Sequence, residues 1–353
     1  VKKNLTILFA LIGINQHLLC AQQTARLTYQ NNPVGYLEYL PPGYATAPGN
    51  FPLLIFLHGG GQSGDGTPAS LEKVKSWGPP YLIDGGVDMC FTVNGTEQCF
   101  IVISPQLNAN ESTWALTVSQ IIDHVFNGPD DYRVDADRIY VTGMSRGGLG
   151  AYQYAASLFN NPNKIAAIAP IAAWSEGPIG CIISERKISV WAFHGILDTV
   201  VPYSLGWSAF SNIQLCTNPQ PVAELKFTTY EDRYHDSWIP AYDPGSVIES
   251  PNLYEWLLLQ ERQEPDPVTG LAEGAISAFA VYPNPARDRI SIHYRETPGA
   301  RSTIGIYNPE GACMMAGEYD TREEIDISDL PSGIYIVRAA VGAGMFAAQR
   351  FIK

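Results

Sequence analysis

Residues Gly143-Met144-Ser145-Arg146-Gly147 form a GxSxG pentapeptide. The apolar run Arg138-Ile139-Tyr140-Val141-Thr142 leads into it, and Gly148-Leu149-Gly150-Ala151-Tyr152 follows with a helical pattern. A serine held between a buried strand and a helix occupies a nucleophile elbow: the sharp turn exposes Oγ, flanking glycines let strand and helix approach, and the helix N-terminus favours developing negative charge. In a chain with 32 glycines the pentapeptide alone is a weak signal, and an ordinary tight turn is the plain alternative. Its position between strand and helix is what gives it meaning.

A serine hydroxyl becomes a useful nucleophile only when a base removes its proton, and around such an elbow the partners follow in the order serine, acid, histidine. Of the histidines after Ser145, His194 ends a strand directly before Gly195, and His293 falls in a C-terminal stretch of different texture. His235, in the turn 231–238 after the last core strand, remains. The acid is then one of Glu176, Glu185, Asp198, Glu224, Glu231 and Asp232. Asp198 follows the strand Val190-Trp191-Ala192-Phe193 and so stands at the carboxyl edge of a parallel sheet, where it can meet the histidine loop. Glu231 and Asp232 read as solvated.

An oxyanion needs backbone donors waiting for it. The Arg146 N–H is one; the second comes from His58-Gly59-Gly60-Gly61, with Gly60 favoured and Gly61 as alternate. The same loop read as a phosphate cradle lacks a following GK[ST], and the first basic residue after it is Lys73. Trp114, Trp174 and Trp238 are candidates to line an aromatic acyl site, and each fits ordinary packing equally well. None of the cysteines after residue 21 has metal-ligand spacing, and the acyl transfer implied calls for no metal or cofactor. A histidine base also implies that turnover declines in acid.

Elements able to hold these residues alternate along the chain. Strands are expected at 35–40, 53–58, 100–104, 138–142, 165–171, 189–193 and 225–230, with helices near 69–77, 114–126, 145–158, 203–215 and 251–259. Continuous aliphatic runs separated by helices argue a mostly parallel sheet covered on both faces, an α/β architecture. After residue 262 the polar, proline-punctuated segment Gln263-Glu264-Pro265-Asp266-Pro267 reads as linker. Short alternating segments at 278–282, 290–294, 302–307, 325–327, 333–338 and 344–352 then predict a small all-β sandwich. The expected division is a signal peptide at 1–21, a catalytic domain at 22–262, a linker at 263–276 and the sandwich at 277–353.

The 353 residues carry 22 basic and 35 acidic side chains, a net charge of −13. Such a chain brings no counter-charge to a phosphate backbone, which argues against nucleic-acid binding. No apolar run beyond the first twenty residues is long enough to span a bilayer, which argues against an integral membrane protein. Lys2 and Lys3 followed by an apolar stretch predict a secretory signal peptide cleaved after Ala21. Acylation of Cys20 is the weaker reading, because no small residue precedes it. Export favours paired cysteines: Cys90 with Cys99 around the Asn94-Gly95 turn, and Cys181 with Cys216, leaving Cys313, although spacing alone fixes no connectivity.

Several ordered motifs now resemble a known family. Tyr39-Leu40-Pro41-Pro42-Gly43-Tyr44, the His58 glycine loop, Ile103-Ser104-Pro105-Gln106-Leu107, the Ser145 elbow, the segment from Trp191 to Pro202 (WAFHGILDTVVP) and His235-Asp236-Ser237-Trp238 look like the secreted esterases related to feruloyl esterases and polyhydroxybutyrate depolymerases. The resemblance covers nearly all of residues 25–262. It implies the α/β-hydrolase fold, the set Ser145, Asp198 and His235, and serine hydrolysis of carboxyl esters, on plant-polysaccharide feruloyl or acetyl esters or on polyesters. Val281-Tyr282-Pro283-Asn284-Pro285, Gly333-Ile334-Tyr335-Ile336-Val337 and the final Phe351-Ile352-Lys353 resemble a type IX secretion sorting domain. That implies a secreted or cell-surface protein of a Bacteroidetes-like bacterium, with the secretion machinery as partner. Two rivals stand beside this reading. One is a peptidase of prolyl-oligopeptidase type, for which these residues offer no propeller-forming segment. The other is a polysaccharide-binding module with a vestigial site.

Overall fold

The seven residues Phe51–Leu57 are all buried, and they divide by parity between two cores. Leu53, Ile55 and Leu57 enter one cluster, Leu54 and Phe56 the other. A strand apolar on both faces must lie inside a sheet covered twice, and the computed structural model of the chain is built around it. The structure describes residues 23–30, 33–108, 113–175, 179–217, 219–246, 248–263, 279–294, 301–307, 313–320, 322–342 and 345–353. The expected signal peptide and nearly all of the expected linker lie outside the described residues.

In chain order the first part comprises β1 (Thr24–Leu27), β2 (Gly35–Tyr39), β3 (Phe51–Leu57), α1 (Pro68–Leu71), α2 (Gly78–Asp84), β4 (Cys90–Val93), β5 (Thr96–Cys99), β6 (Ile101–Pro105), α3 (Ala115–Asn127), β7 (Val134–Met144), α4 (Arg146–Ala156) and β8 (Ala167–Ile171). Then come α5 (Gly180–Glu185), β9 (Ser189–Gly195), α6 (Tyr203–Gln214), β10 (Leu225–Tyr230), α7 (Trp238–Tyr242) and α8 (Leu253–Leu258). Eight strands form one sheet in the order β1-β2-β6-β3-β7-β8-β9-β10. β6 through β10 in that order run parallel, and β2 pairs antiparallel with both β6 and β1. This is the α/β-hydrolase arrangement expected from the motifs. Non-consecutive parallel neighbours require crossovers, and the helices that make them cover both faces.

The helices follow from local rules. In α3 the buried Val118, Ile121, Ile122 and Val125 recur at helical spacing and face the same cluster as Leu53 and Ile55. Asn252 and Glu255 close a capping box on α8, each side chain accepting the other's backbone N–H at 3.0 Å. β4 and β5 form a separate hairpin in which Cys90 lies opposite Cys99. Both expected disulfides are formed, Cys90–Cys99 and Cys181–Cys216.

The C-terminal strands are β11 (Phe279–Tyr282), β12 (Arg289–Tyr294), β13 (Arg301–Tyr307), β14 (Cys313–Asp320), β15 (Ile325–Asp326), β16 (Ile334–Gly342) and β17 (Met345–Ile352). They make two antiparallel sheets, β11-β12-β15 and β14-β13-β16-β17. Val281, Ile290, Ile304, Ile306, Val337 and Phe351 meet in their own core. β14 is an addition to the sequence expectation: its stretch Cys-Met-Met-Ala-Gly-Glu-Tyr-Asp has no β-branched residue to mark it.

Candidate active site

Ser145 has φ of 53° and ψ of −118°, a left-handed conformation that a non-glycine residue adopts only when its surroundings enforce it. The enforcement is visible. Its N–H donates to the Ile171 carbonyl of β8 at 2.8 Å, and α4 begins at the next residue. A Cβ on Gly147 would overlap the Leu57 carbonyl oxygen of β3, and one on Gly143 the Gly147 carbonyl oxygen. Strand, turn and helix therefore pack backbone to backbone, and the serine side chain is the part left protruding.

His235 comes from the loop after β10, Asp198 from the turn after β9. The structure brings both to Ser145: His235 Nε2 lies 2.9 Å from Ser145 Oγ, and His235 Nδ1 lies 2.7 Å from Asp198 Oδ2. A carboxylate only accepts, so Nδ1 carries the proton and Nε2 is free to accept from the serine hydroxyl. The other oxygen of Asp198 accepts the N–H groups of Val200 and Val201, each at 2.9 Å. The side chain is thereby locked by its own turn, and it is 0% exposed. The two rival candidates in the histidine turn, Glu231 and Asp232, are exposed, as expected.

His194 sits behind this acid, its Nε2 3.5 Å from Asp198 Oδ2. Its Nε2–H donates to the Val201 carbonyl at 2.9 Å, and burial lowers its pKa from the ordinary value. It is a neutral neighbour of the carboxylate and forms no ion pair with it. Gly206 of α6 leaves the room it needs, since a Cβ there would overlap the imidazole.

The glycine loop faces the elbow from β3. A Cβ built on Gly59 would lie 3.7 Å from the Met144 carbonyl oxygen, the residue before Ser145. His58 is buried; its Nδ1–H donates to the Gly59 carbonyl at 2.6 Å, and its Nε2 accepts the Leu107 N–H at 3.0 Å. Burial pushes its pKa down to about 4, so the ring is neutral. In a trans peptide the carbonyl and the next N–H point in opposite directions. Holding the Gly59 carbonyl toward His58 therefore turns the Gly60 N–H away from it. Gly60 opens a short 3-10 turn at Gly60–Gln62, whose Gln62 N–H already donates to the Gly59 carbonyl. Arg146 is the first residue of α4, a position whose N–H has no acceptor within its own helix. Its guanidinium reaches the Ser63 hydroxyl at 3.3 Å.

Of the three tryptophans, Trp238 lies beside His235, ring centroids 5.2 Å apart and edge to face. Trp174 is half-buried on the loop after β8. Trp114 is a correction: it is 1% exposed, packed edge-on against His58 at 4.8 Å, and a Cβ on Gly150 would overlap it. It supports the glycine loop from below and lines no acyl site. Sequence reasoning missed Trp77 and Tyr81, exposed aromatics near Trp238. It also missed the work of Gln106, which accepts the Gly66 N–H at 2.9 Å and donates to the Gln62 and Ser70 carbonyls, tying down the chain beyond the glycine loop.

Residues 48–241 match the phospholipase/carboxylesterase family, a span that contains the elbow, the acid and the histidine. The chain belongs to that family. Among curated proteins it is 30% identical over 163 residues to a bifunctional acetylxylan esterase/xylanase of Neocallimastix patriciarum, covering 44% of this chain and 20% of the relative. It is 29% identical over 195 residues to poly(3-hydroxyalkanoate) depolymerase C of Paucimonas lemoignei, covering 53% of this chain and 42% of the relative. The chain thus spans less than half the length of these relatives. A solved thermostable esterase shares the fold, with a TM-score of 0.50 at 24% identity over 68% of this chain and 63% of that one. Residues 280–353 match a secretion-system C-terminal sorting domain, of the type IX kind that the tail motifs resemble. The protein is therefore secreted or carried to the cell surface. No helix among the described residues is long and apolar enough to cross a membrane.

Proposed function

We propose that this protein is a serine carboxyl-ester hydrolase that works through an acyl-enzyme, with Ser145 as nucleophile, His235 as general base and acid, and Asp198 as the carboxylate that orients it. The observation that carries the reading is His235 standing 2.9 Å from Ser145 Oγ and 2.7 Å from Asp198 at once. Its Nε2 takes the hydroxyl proton as Oγ adds to the ester carbonyl. Charge gathers on the carbonyl oxygen, where the N–H groups of Arg146 and Gly60 receive it. The C–O bond to the alcohol then breaks, and the alcohol leaves with the proton from His235. Water gives its proton to the same nitrogen and adds to the acyl carbon; the acid departs and Ser145 regains its hydrogen. Asp198 steadies the imidazolium formed in each half-reaction.

The relatives support an exported enzyme acting on polymer-borne esters. One acts on acetylxylan and another on poly(3-hydroxyalkanoate), and a secreted chain meets such polymers outside the cell. Plant-polysaccharide feruloyl or acetyl esters are the proposed substrates, with aliphatic polyesters next. Ser145→Ala is the test: turnover of p-nitrophenyl acetate should fall by about 10⁶-fold, and labelling by a fluorophosphonate should vanish. Retained turnover would mean another nucleophile, and a wild-type protein that binds polysaccharide without labelling would be a binding module.

A further inference from the structure

α2 and α7 face each other across a cleft of about 210 Å³, walled by Trp77, Tyr81 and Leu82 on one side and by Trp238 and Ile239 on the other, with Asp243 at the rim. The rings meet mainly by their edges: Trp77 and Trp238 are 6.2 Å apart at 62°, and Trp238 stands at 88° to His235 at 5.2 Å. One indole therefore separates the cleft from the imidazole that touches Ser145. Trp77, Tyr81 and Ile239 are 38%, 58% and 44% exposed, so apolar surface stays open to solvent beside the proposed chemistry. The wall is anchored from below. Gly78, at φ of +69°, starts α2 so close to β3 that a Cβ would lie 2.5 Å from the Phe56 ring. Trp238 Nε1–H is buried and has no acceptor among the described residues.

We propose that this cleft is the acyl subsite for an aromatic acid, a substituted ring joined to the ester carbonyl by a short spacer. The inference rests on the reading of Ser145, Asp198 and His235 given above. A cavity of about 150 Å³ accepts benzene, so the cleft admits a ring with substituents. Ring edges and faces at these angles suit a further ring placed among them. The spacer passes Trp238 and sets the carbonyl at Ser145. Asp243 at the rim repels an anionic acyl chain while accepting a phenolic hydroxyl. A sugar ring fits less well, because it needs a broad aromatic face flanked by several polar groups.

The test uses the full chain with methyl ferulate and methyl butyrate, which share an alcohol and differ only in the acyl group. Trp77→Ala should lower kcat/KM for the ferulate by about 10–100-fold, through KM chiefly, and leave the butyrate within about twofold. Trp77→Phe should restore most of the ferulate activity, and Tyr81→Ala should shift it in the same direction by less. Equal losses on both esters would make Trp77 merely structural, and no loss on either would empty the cleft of this role. A selective loss on acetylated xylo-oligosaccharide instead would assign it to a sugar. The parent reading fails differently: wild-type protein would hydrolyse neither ester, or Ser145→Ala would hydrolyse both as before. Butyrate turnover that depends on Ser145, beside ferulate turnover that ignores Trp77, would overturn the subsite alone.

Discussion

Around Ser145 the chain touches itself backbone to backbone: Gly147 lies against Leu57, Gly143 against the turn of α4, and the Gly59 carbonyl is pinned by a buried imidazole. Around Trp77 the walls are side chains standing partly in solvent, with open volume between them. One side of the site leaves no freedom and the other leaves a great deal. Geometry that must serve every ester belongs where nothing can shift, while discrimination among acyl groups belongs where a ring can be exchanged without disturbing the backbone. Changes on the first side should affect all substrates together, and changes on the second should affect them selectively.

The sharpest break of that contrast comes at Asp198. Its Oδ1 is held by the Val200 and Val201 N–H groups, so in Asp198→Asn the amide oxygen keeps that position and the NH2 faces His235 Nδ1. A donor there forces the imidazole into the tautomer with hydrogen on Nε2, which cannot accept from Ser145. We expect kcat to fall by about 10⁴-fold on aromatic and aliphatic esters alike; a steady-state loss under tenfold would mean that another acid orients the histidine. Gly147→Ala comes next. The added methyl meets the Leu57 carbonyl, and neither backbone can yield cheaply. A destabilisation of about 1–3 kcal/mol, read as a lower urea midpoint, should accompany loss of activity on every ester; an unchanged midpoint would show that the elbow has slack.

The effect expected to leave turnover least changed is a pH dependence of stability at His58. Its folded pKa of about 4 lies below the ordinary 6.5, so between those values the unfolded chain takes up a proton that the folded chain refuses. Stability from this group is complete above pH 6.5 and is lost as pH falls toward 4, amounting to about 3 kcal/mol at most. His194 acts in the same direction. Denaturation at pH 7 and pH 4.5 should show wild type losing more stability than His58→Gln. Identical losses would place the acid sensitivity elsewhere.

The rigid side was legible in the sequence and the open side was not. Buried strands write themselves as continuous aliphatic runs, so β3, β7 and β9 stand out, and an elbow needs glycines at fixed offsets from its serine. Asp198 and His235 follow from chain order once the strands are placed. α2 hides because Gly-Pro-Pro-Tyr reads as a loop: two prolines are tolerated only in its first turn, and Gly78 has a positive φ. The expected helix near 69–77 puts Trp77 at its end, and with α2 unread neither Trp77 nor Tyr81 could be set against Trp238. Trp114 fits an acyl wall and ordinary packing equally well from its type alone; it N-caps α3 and is drawn inward beneath His58. Sequence reports local pattern well, but what a lone aromatic touches is settled by elements distant along the chain.

The two crosslinks act over different reaches of an exported chain. Cys90 and Cys99 face each other across a hairpin and are nine residues apart, so closing that loop needs only local structure. Cys181 and Cys216 are 35 residues apart, with β9 and α6 between them, and their bond joins α5 to the residues just after α6. The first bond can be sealed while the remainder of the polypeptide is still arriving. The second spans β9 and the Asp198 turn, so one covalent bond fastens α5 to the end of α6 at the corner that carries the acid.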